Sequence, residues 1–431
     1  MKRPLQLLFL AVLLFTIPAH AANNNDYVIV GWNDLGMHCI NPSYAELALL
    51  PPFNNLWAQV IQRGDPPKIV TSGITLEYSI QNNTTVNGKT DFWTYAASLF
   101  ASLMNLQKPS NGVGLTGNGL SGKMQLVGDH FEATGIPVLP YDDEMNWNPF
   151  QIATVTLRDN PGKGNKIGQT IQVVLPVSDE IHCDMCHMQG GDGTQNLPPD
   201  PMTGLTGTMD VFLNILMVHD FYNTSSQLAK APKPVICAGC HASNALGVGA
   251  HGASTSVSLA MHSWHNGEDR CTDPTFSCYS CHPGELTQCL RTGIQGMGYL
   301  GTTPSCSDQR DANGNLIAGM CHGGIKGVAK SITDSGRRPW LDEPDAKGSN
   351  CALCHGSNYS TGGQLYRRAT GHGGIYCAAC HNSPHAWWPS KLWADNLQPA
   401  KLQRAPYSIG KCGVCHTNNL AGDNPHVTYY R

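Results

Sequence analysis

The chain has 431 residues, a formal charge of -4 and only 13% charged side chains, so it lacks the basic footprint of a nucleic-acid-binding protein. Its length allows two or three domains and at least one large core. Seventeen cysteines are many for such a chain, and an exported protein uses that many for disulfides or covalent cofactors.

Lys2 and Arg3, an apolar run from Leu5 to Ile17 and the small residues Ala19 and Ala21 have the layout of a secretory signal peptide over residues 1–21. Export to the periplasm, cell surface or exterior is expected. No later segment is apolar for long enough to span a bilayer, so no transmembrane segment is expected. Only Cys39 precedes residue 183, and the other sixteen cysteines fall between 183 and 415. That shift predicts a boundary near residue 180, with one domain over 22–180 and a second over 181–431.

The first domain reads as β-rich and sandwich-like. Residues 27–30 form a short β-type run, 73–81 and 151–157 alternate apolar and polar residues, and 170–177 is a further strand. One helix is predicted over 92–106. The second domain has one predicted helix, over 209–222, and is otherwise loop-rich with short helical turns. Such a segment cannot bury enough of its own apolar surface to offset backbone ordering. It needs another core.

Six C-x-x-C-H motifs supply the means: CDMCH at 183–187, CAGCH at 237–241, CYSCH at 278–282, CALCH at 351–355, CAACH at 377–381 and CGVCH at 412–416. This is the attachment signature of c-type haem, with thioethers at Cys183, Cys186, Cys237, Cys240, Cys278, Cys281, Cys351, Cys354, Cys377, Cys380, Cys412 and Cys415. The histidine of each motif then lies beneath the iron. Roughly 0.03 such pentapeptides are expected by chance at these Cys and His frequencies. Structural zinc is the competing reading, but it needs four converging ligands. The flat macrocycles provide the missing core.

Cys306 and Cys321 precede His322 with fourteen residues between the thiols, and Asn313-Gly314 marks a tight turn inside that loop. Lengthening the loop from two residues to fourteen costs roughly 1.7 kcal/mol of closure entropy. A Cys306–Cys321 disulfide is the competing reading; the wide gap between the neighbouring motifs favours a seventh covalent haem. Cys271 and Cys289 flank CYSCH and are expected to pair, leaving Cys39 as a buried thiol or an intermolecular contact.

The seven proximal histidines are His187, His241, His282, His322, His355, His381 and His416. Candidates for the opposite axial positions are His219 on the predicted helix, His262 and His265 three apart, His372 and His385 around CAACH, His426 near the end, and His38. His182 and His251 are reserves, and His130 is read as structural. The supply exceeds the need, so no iron has to stay open.

GWNDLGMHCIN at 31–41, LLPPFNNLWAQV at 49–60, TDFWTYAASLF at 90–100 and TGIPVLPYDDE at 134–144 resemble the N-terminal domain of multihaem cytochromes c from metal-reducing bacteria. LPVSDEIHCDMCH, HNGEDRCTDPTFSCYSCHPGELTQCLR and GHGGIYCAACHNSPHAWWP resemble their haem domain. The C-x14-C-H motif is similar to that of the filament-forming, outer-surface members of the group, which carry eight haems. The resemblance implies a seventh haem on Cys306, Cys321 and His322, and distal roles for His219, His262, His265, His372, His385, His426 and His38. The expected function is electron transfer in periplasmic or extracellular respiration, not enzymatic catalysis. Other cytochromes or extracellular acceptors are the expected partners, and a homopolymeric filament is a further expectation. The alternative is a multihaem reductase of nitrite, hydroxylamine or a sulfur oxyanion, which requires one open haem. Asp142-Asp143 reads as a solvated turn.

Overall fold

Alternating side chains drive the first part of the chain into strands that bury one face. The structure is a computed structural model, and it describes residues 26–101, 112–114, 116–159, 167–243, 246, 249–265, 278–284, 286–292, 359, 364, 366–383, 385–418 and 426. The signal-peptide segment, Cys271, the Cys306/Cys321/His322 site and the Cys351/Cys354/His355 motif lie outside them.

β1 (Tyr27–Trp32), β4 (Asn54–Gln62), β9 (His130–Ile136) and β8 (Gln125–Val127) form one antiparallel sheet in that order, with β5 (Lys68–Ile69) paired to β4. A second sheet runs β2 (His38–Cys39), β11 (Ile167–Ser178), β10 (Phe150–Asp159), β6 (Ile74–Ile80) and β7 (Ser121–Lys123). A parallel pair joins β3 (Leu47–Ala48) to β12 (Val235–Ile236). Every second residue of the main strands enters one core: Leu56, Ala58 and Val60 from one sheet meet Leu76, Tyr78, Ala153, Val155, Val173 and Leu175 from the other. The strands predicted at 27–30, 73–81, 151–157 and 170–177 are β1, β6, β10 and β11. The two inner strands β4 and β9 were not foreseen. β4 is buried on both faces and therefore carries no alternation.

The second face of the first sheet is also covered. Val28, Val30, Trp32, Trp57 and Ile61 pack against Tyr376, Ala378, Ala379, Trp388 and Val414, residues in and around the CAACH and CGVCH motifs. β1 is an edge strand, and at Gly31 its outward backbone is satisfied by one side chain: Gly31 N–H donates to Gln398 Oε1 at 2.8 Å, and Gln398 Nε2 donates to Gly31 O at 3.0 Å. Gln398→Ala leaves a buried donor and acceptor without partners, at a cost of about 1–3 kcal/mol. A lower urea midpoint at unchanged m-value is the expected result.

α1 (Phe92–Ala101) is shorter than the predicted helix, and its residues Phe92, Ala96 and Leu99 pack with Tyr44, Phe53, Ile236 and Ala238. Beyond Ser178 the chain is loop-rich. Short helices α2 (Asp184–His187), α3 (Val211–Tyr222), α4 (Val257–Trp264), α5 (Cys377–His381) and α6 (Leu397–Gln403) alternate with 3-10 turns. α3 begins two residues later than predicted because Asp210 caps it, accepting from Phe212 and Leu213 N–H at 2.9 Å each. Among the described residues no helix is long and apolar enough to cross a membrane.

Candidate metal centres

Each described C-x-x-C-H motif closes as a helical turn. His187 N–H donates to Cys183 O at 2.9 Å, His241 to Cys237 O at 3.0 Å and His416 to Cys412 O at 2.9 Å. The CAACH motif is α5 itself, and Cys278–Ser280 is a 3-10 turn. One turn places residues i, i+3 and i+4 on a common face, so both cysteines and the histidine project together. Burial pushes the thiols of Cys183 and Cys380 up to about 12, and those of Cys237 and Cys415 up to about 11. Among the described residues no three His, Cys, Asp or Glu side chains converge as a chelating group.

The histidines instead meet in twos. His187 faces His265 with ring centres 6.3 Å apart, and His219 faces His241 at 6.5 Å. His262 and His282 are 6.1 Å apart, His372 and His416 6.1 Å, and His381 and His426 5.9 Å. Each pair joins one motif histidine to one outside the motifs, and no ring is used twice. An imidazole nitrogen lies about 2 Å from a metal it ligates, so two rings on opposite sides of one ion have centres about 6 Å apart. The spacing therefore fits a single axially ligated iron between each pair.

Hydrogen bonds set the ring tautomers. Nδ1–H donates to a backbone carbonyl at His241 (Thr255 O, 2.8 Å), His262 (Ser258 O, 2.8 Å) and His265 (Met261 O, 2.7 Å). That leaves Nε2 unprotonated and free to bind a metal. His381 Nδ1 lies 3.0 Å from Ser408 Oγ, and His219 Nδ1 3.1 Å from Ser226 Oγ. His416 differs: its Nδ1–H donates to Asp65 Oδ1 at 2.8 Å. Thr255, Ser408 and Asp65 had no local signal in the sequence, since Asp65 lies 351 positions from its partner.

Two further features fit a large planar group with polar edges. A cavity of about 590 Å³ opens at Cys183, lined by Pro42, Trp147, Val211, Phe212 and Leu286. The buried indole N–H groups of Trp32 and Trp57 have no partner among the described residues, and both rings pack in the cluster that includes Cys377, Cys380 and Cys415. A carboxylate-bearing macrocycle edge would satisfy such donors.

No family model matches the chain, and no curated protein is detectably similar to it. The arrangement of its own side chains carries the reading.

Other predicted residues are placed elsewhere. His38 is not brought to a motif histidine: its Nε2 donates to Pro51 O at 2.9 Å, its ring packs on Phe53, and burial lowers it to about 4. His385 Nδ1 lies 3.4 Å from Cys289 Sγ. Cys289 is an unbridged thiol there, while its expected partner Cys271 lies outside the described residues. His182 contacts Glu180 at 3.1 Å, and the backbone N–H of His251 donates to Cys240 O at 2.8 Å. His130 is buried between Asp129, Glu132 and Tyr376. Asp143 of the acidic pair accepts from Lys89 Nζ at 2.8 Å.

Glu180 fixes the loop after CYSCH. Its carboxylate accepts from Thr287 N–H at 2.7 Å, Leu286 N–H at 3.2 Å and Gly284 N–H at 3.3 Å. Burial pushes its pKa up, but these bonds outweigh burial and hold it down to about 2. A depressed carboxyl stabilises the fold above its unfolded pKa and loses that contribution as pH falls through the folded value. Glu180 should thus contribute on the order of 2 kcal/mol at neutral pH, lost between about pH 4.5 and 2. Glu180→Gln is expected to remove that acid-side slope from a stability-against-pH series.

Proposed function

We propose that the chain is a multihaem c-type cytochrome that carries electrons from haem to haem in periplasmic or extracellular respiration. The observation that carries this reading is the pairing: all five motif histidines among the described residues face a second histidine at 5.9–6.5 Å. Bound haem supplies a one-electron iron couple. The protein's residues do the rest. The cysteines of each motif would anchor a haem through two thioethers, and at the five described sites the paired histidines would hold its iron from both sides, which would leave no position there for a small-molecule substrate. That arrangement favours conduction over the reductase alternative.

Neighbouring attachment sites adjoin: His265 and His262 of one short helix face the first and third motifs, and Cys380 and Cys415 of the sixth and seventh sites pack on one hydrophobic cluster. Seven sites are proposed in all, including Cys306, Cys321 and His322, with His385 serving one of the two sites outside the described residues. The sandwich-like N-terminal domain covers haem edges. Partners would be other cytochromes or extracellular acceptors, and a filament of identical subunits is compatible with the same wiring.

Low-temperature electron paramagnetic resonance on the oxidised exported protein, with haem quantified as the pyridine haemochrome, tests the proposal. Seven low-spin irons per chain are expected. One high-spin iron per chain would turn the reading to the reductase alternative, and a chain without covalent haem would end both.

A further inference from the structure

We propose that Cys39 and Cys289 are a disulfide-forming pair that ties the N-terminal sheet to the stretch following CYSCH. The proposal goes beyond the electron-transfer reading and stands without it, since neither cysteine belongs to a C-x-x-C-H motif. By position in the sequence, Cys271 is the nearer partner for Cys289. The fold offers Cys39 instead.

A series of anchors leads from one cysteine to the other. Cys39 ends β2, which pairs in parallel with the end of β11, so Cys39 stands opposite Ser178. Ile40 N–H donates to Ser178 O at 2.8 Å and fixes that register. Residues opposite one another in a pair project to the same side of the sheet. On that side the Ser178 hydroxyl lies 2.7 Å from the Thr287 hydroxyl, and Thr287 N–H donates to Glu180 at 2.7 Å. Cys289 follows two residues later. Arg291, two residues further on, is clamped as well: its backbone N–H donates to His385 O at 2.8 Å, and its guanidinium holds Asp395. Cys289 is thus held between two fixed residues, in the region that Cys39 enters from the sheet. Glu180, Arg291 and the His385 ring, with Nδ1 3.4 Å from Cys289 Sγ, are the charged and titratable groups around it. Burial raises both thiols, Cys289 up to about 11, and Cys289 adds to the rise at Cys39.

Both stand as unbridged thiols in this structure. Thiols raised in this way react slowly once buried, so the bond forms while the chain closes. The signal-peptide layout of residues 1–21 implies export, and with it a disulfide-bearing oxidant. One cysteine thiolate attacks the oxidant's S–S bond and forms a mixed disulfide, which the second thiolate resolves. One S–S bond forms in the chain and one breaks in the oxidant. Two electrons and two protons leave with the oxidant as a dithiol.

The test uses the exported full chain, purified without reductant. Free thiols are blocked with N-ethylmaleimide in denaturant, and the digest is mapped by mass spectrometry before and after reduction. The expected result is a peptide pair joined through Cys39 and Cys289 that separates on reduction, with Cys271 carrying the label. The same joined pair should persist in Cys271→Ser. Label on both Cys39 and Cys289 would overturn the proposal, as would a Cys271–Cys289 bridge or a Cys39–Cys39 bridge between two chains. The map counts thiols and not irons, so its failure leaves the electron-transfer reading in place. A chain without covalent haem would end that reading and leave this one to the map.

Discussion

His262→Ala and His265→Ala are each expected to turn one iron per chain high-spin, at two different haems, and the double variant to turn two. Both histidines stand on α4, three residues apart and hence on one side of the helix. His262 faces His282 of the third motif, while His265 faces His187 of the first. Their Nδ1 atoms are anchored on the carbonyls one turn back, Ser258 and Met261, so each ring is oriented by the helix itself. Ser256 caps that helix by accepting Leu259 N–H at 3.1 Å, which fixes its start. Electron paramagnetic resonance with iron quantification checks the count, and NMR of the low-spin remainder checks the location. If either single variant perturbs both irons equally, α4 acts as one unit and the one-ring-one-iron assignment is wrong. Small open-site ligands such as carbon monoxide should bind the reduced variants and not the parent.

Asp395→Ala should destabilise the chain by about 3–5 kcal/mol, the cost of leaving a buried cation without its partner. Arg291 Nε donates to Asp395 Oδ2 at 2.6 Å and Nη2 to Oδ1 at 3.1 Å, a two-pronged pair with side chains 5% and 1% exposed. Ser390 Oγ also donates to Asp395 Oδ2, at 2.7 Å, and the Arg291 guanidinium lies 4.8 Å from the centre of the Phe150 ring. The pair thus joins the stretch after CYSCH, the stretch after CAACH and β10. Far-UV circular dichroism in urea gives the measurement. The double variant Arg291→Met/Asp395→Leu should recover most of the loss, since a packed apolar pair removes the desolvation cost on both sides. A single variant within 1 kcal/mol of wild type would show that water reaches the site.

Sequence and structure agree where the chemistry is local. β6 and β10 alternate because one face meets the core, β11 is legible as an apolar run, and α3 follows from its periodicity. The cysteines and histidine of each motif are readable because one helical turn brings them together. Which second histidine faces which motif was not readable. His265 lies far from His187 in sequence, and His262, three residues away, serves another site. β4 escaped notice because burial on both faces removes the alternation that marks a strand. Asp65 was invisible because a turn residue beside two prolines acquires its meaning only when residues 416–418, far away in sequence, arrive against it.

That late arrival has a consequence for biogenesis. Trp32 and Trp57 lie on strands synthesised first, and the residues that cover them, Tyr376 to Val414, are synthesised last. Until those residues arrive the sheet must keep an uncovered aromatic face. That face is a liability for aggregation, and its burial waits on contacts of very long sequence separation. Truncation after residue 391 should leave the N-terminal sheets translated but prone to aggregate, measured as a loss of soluble protein.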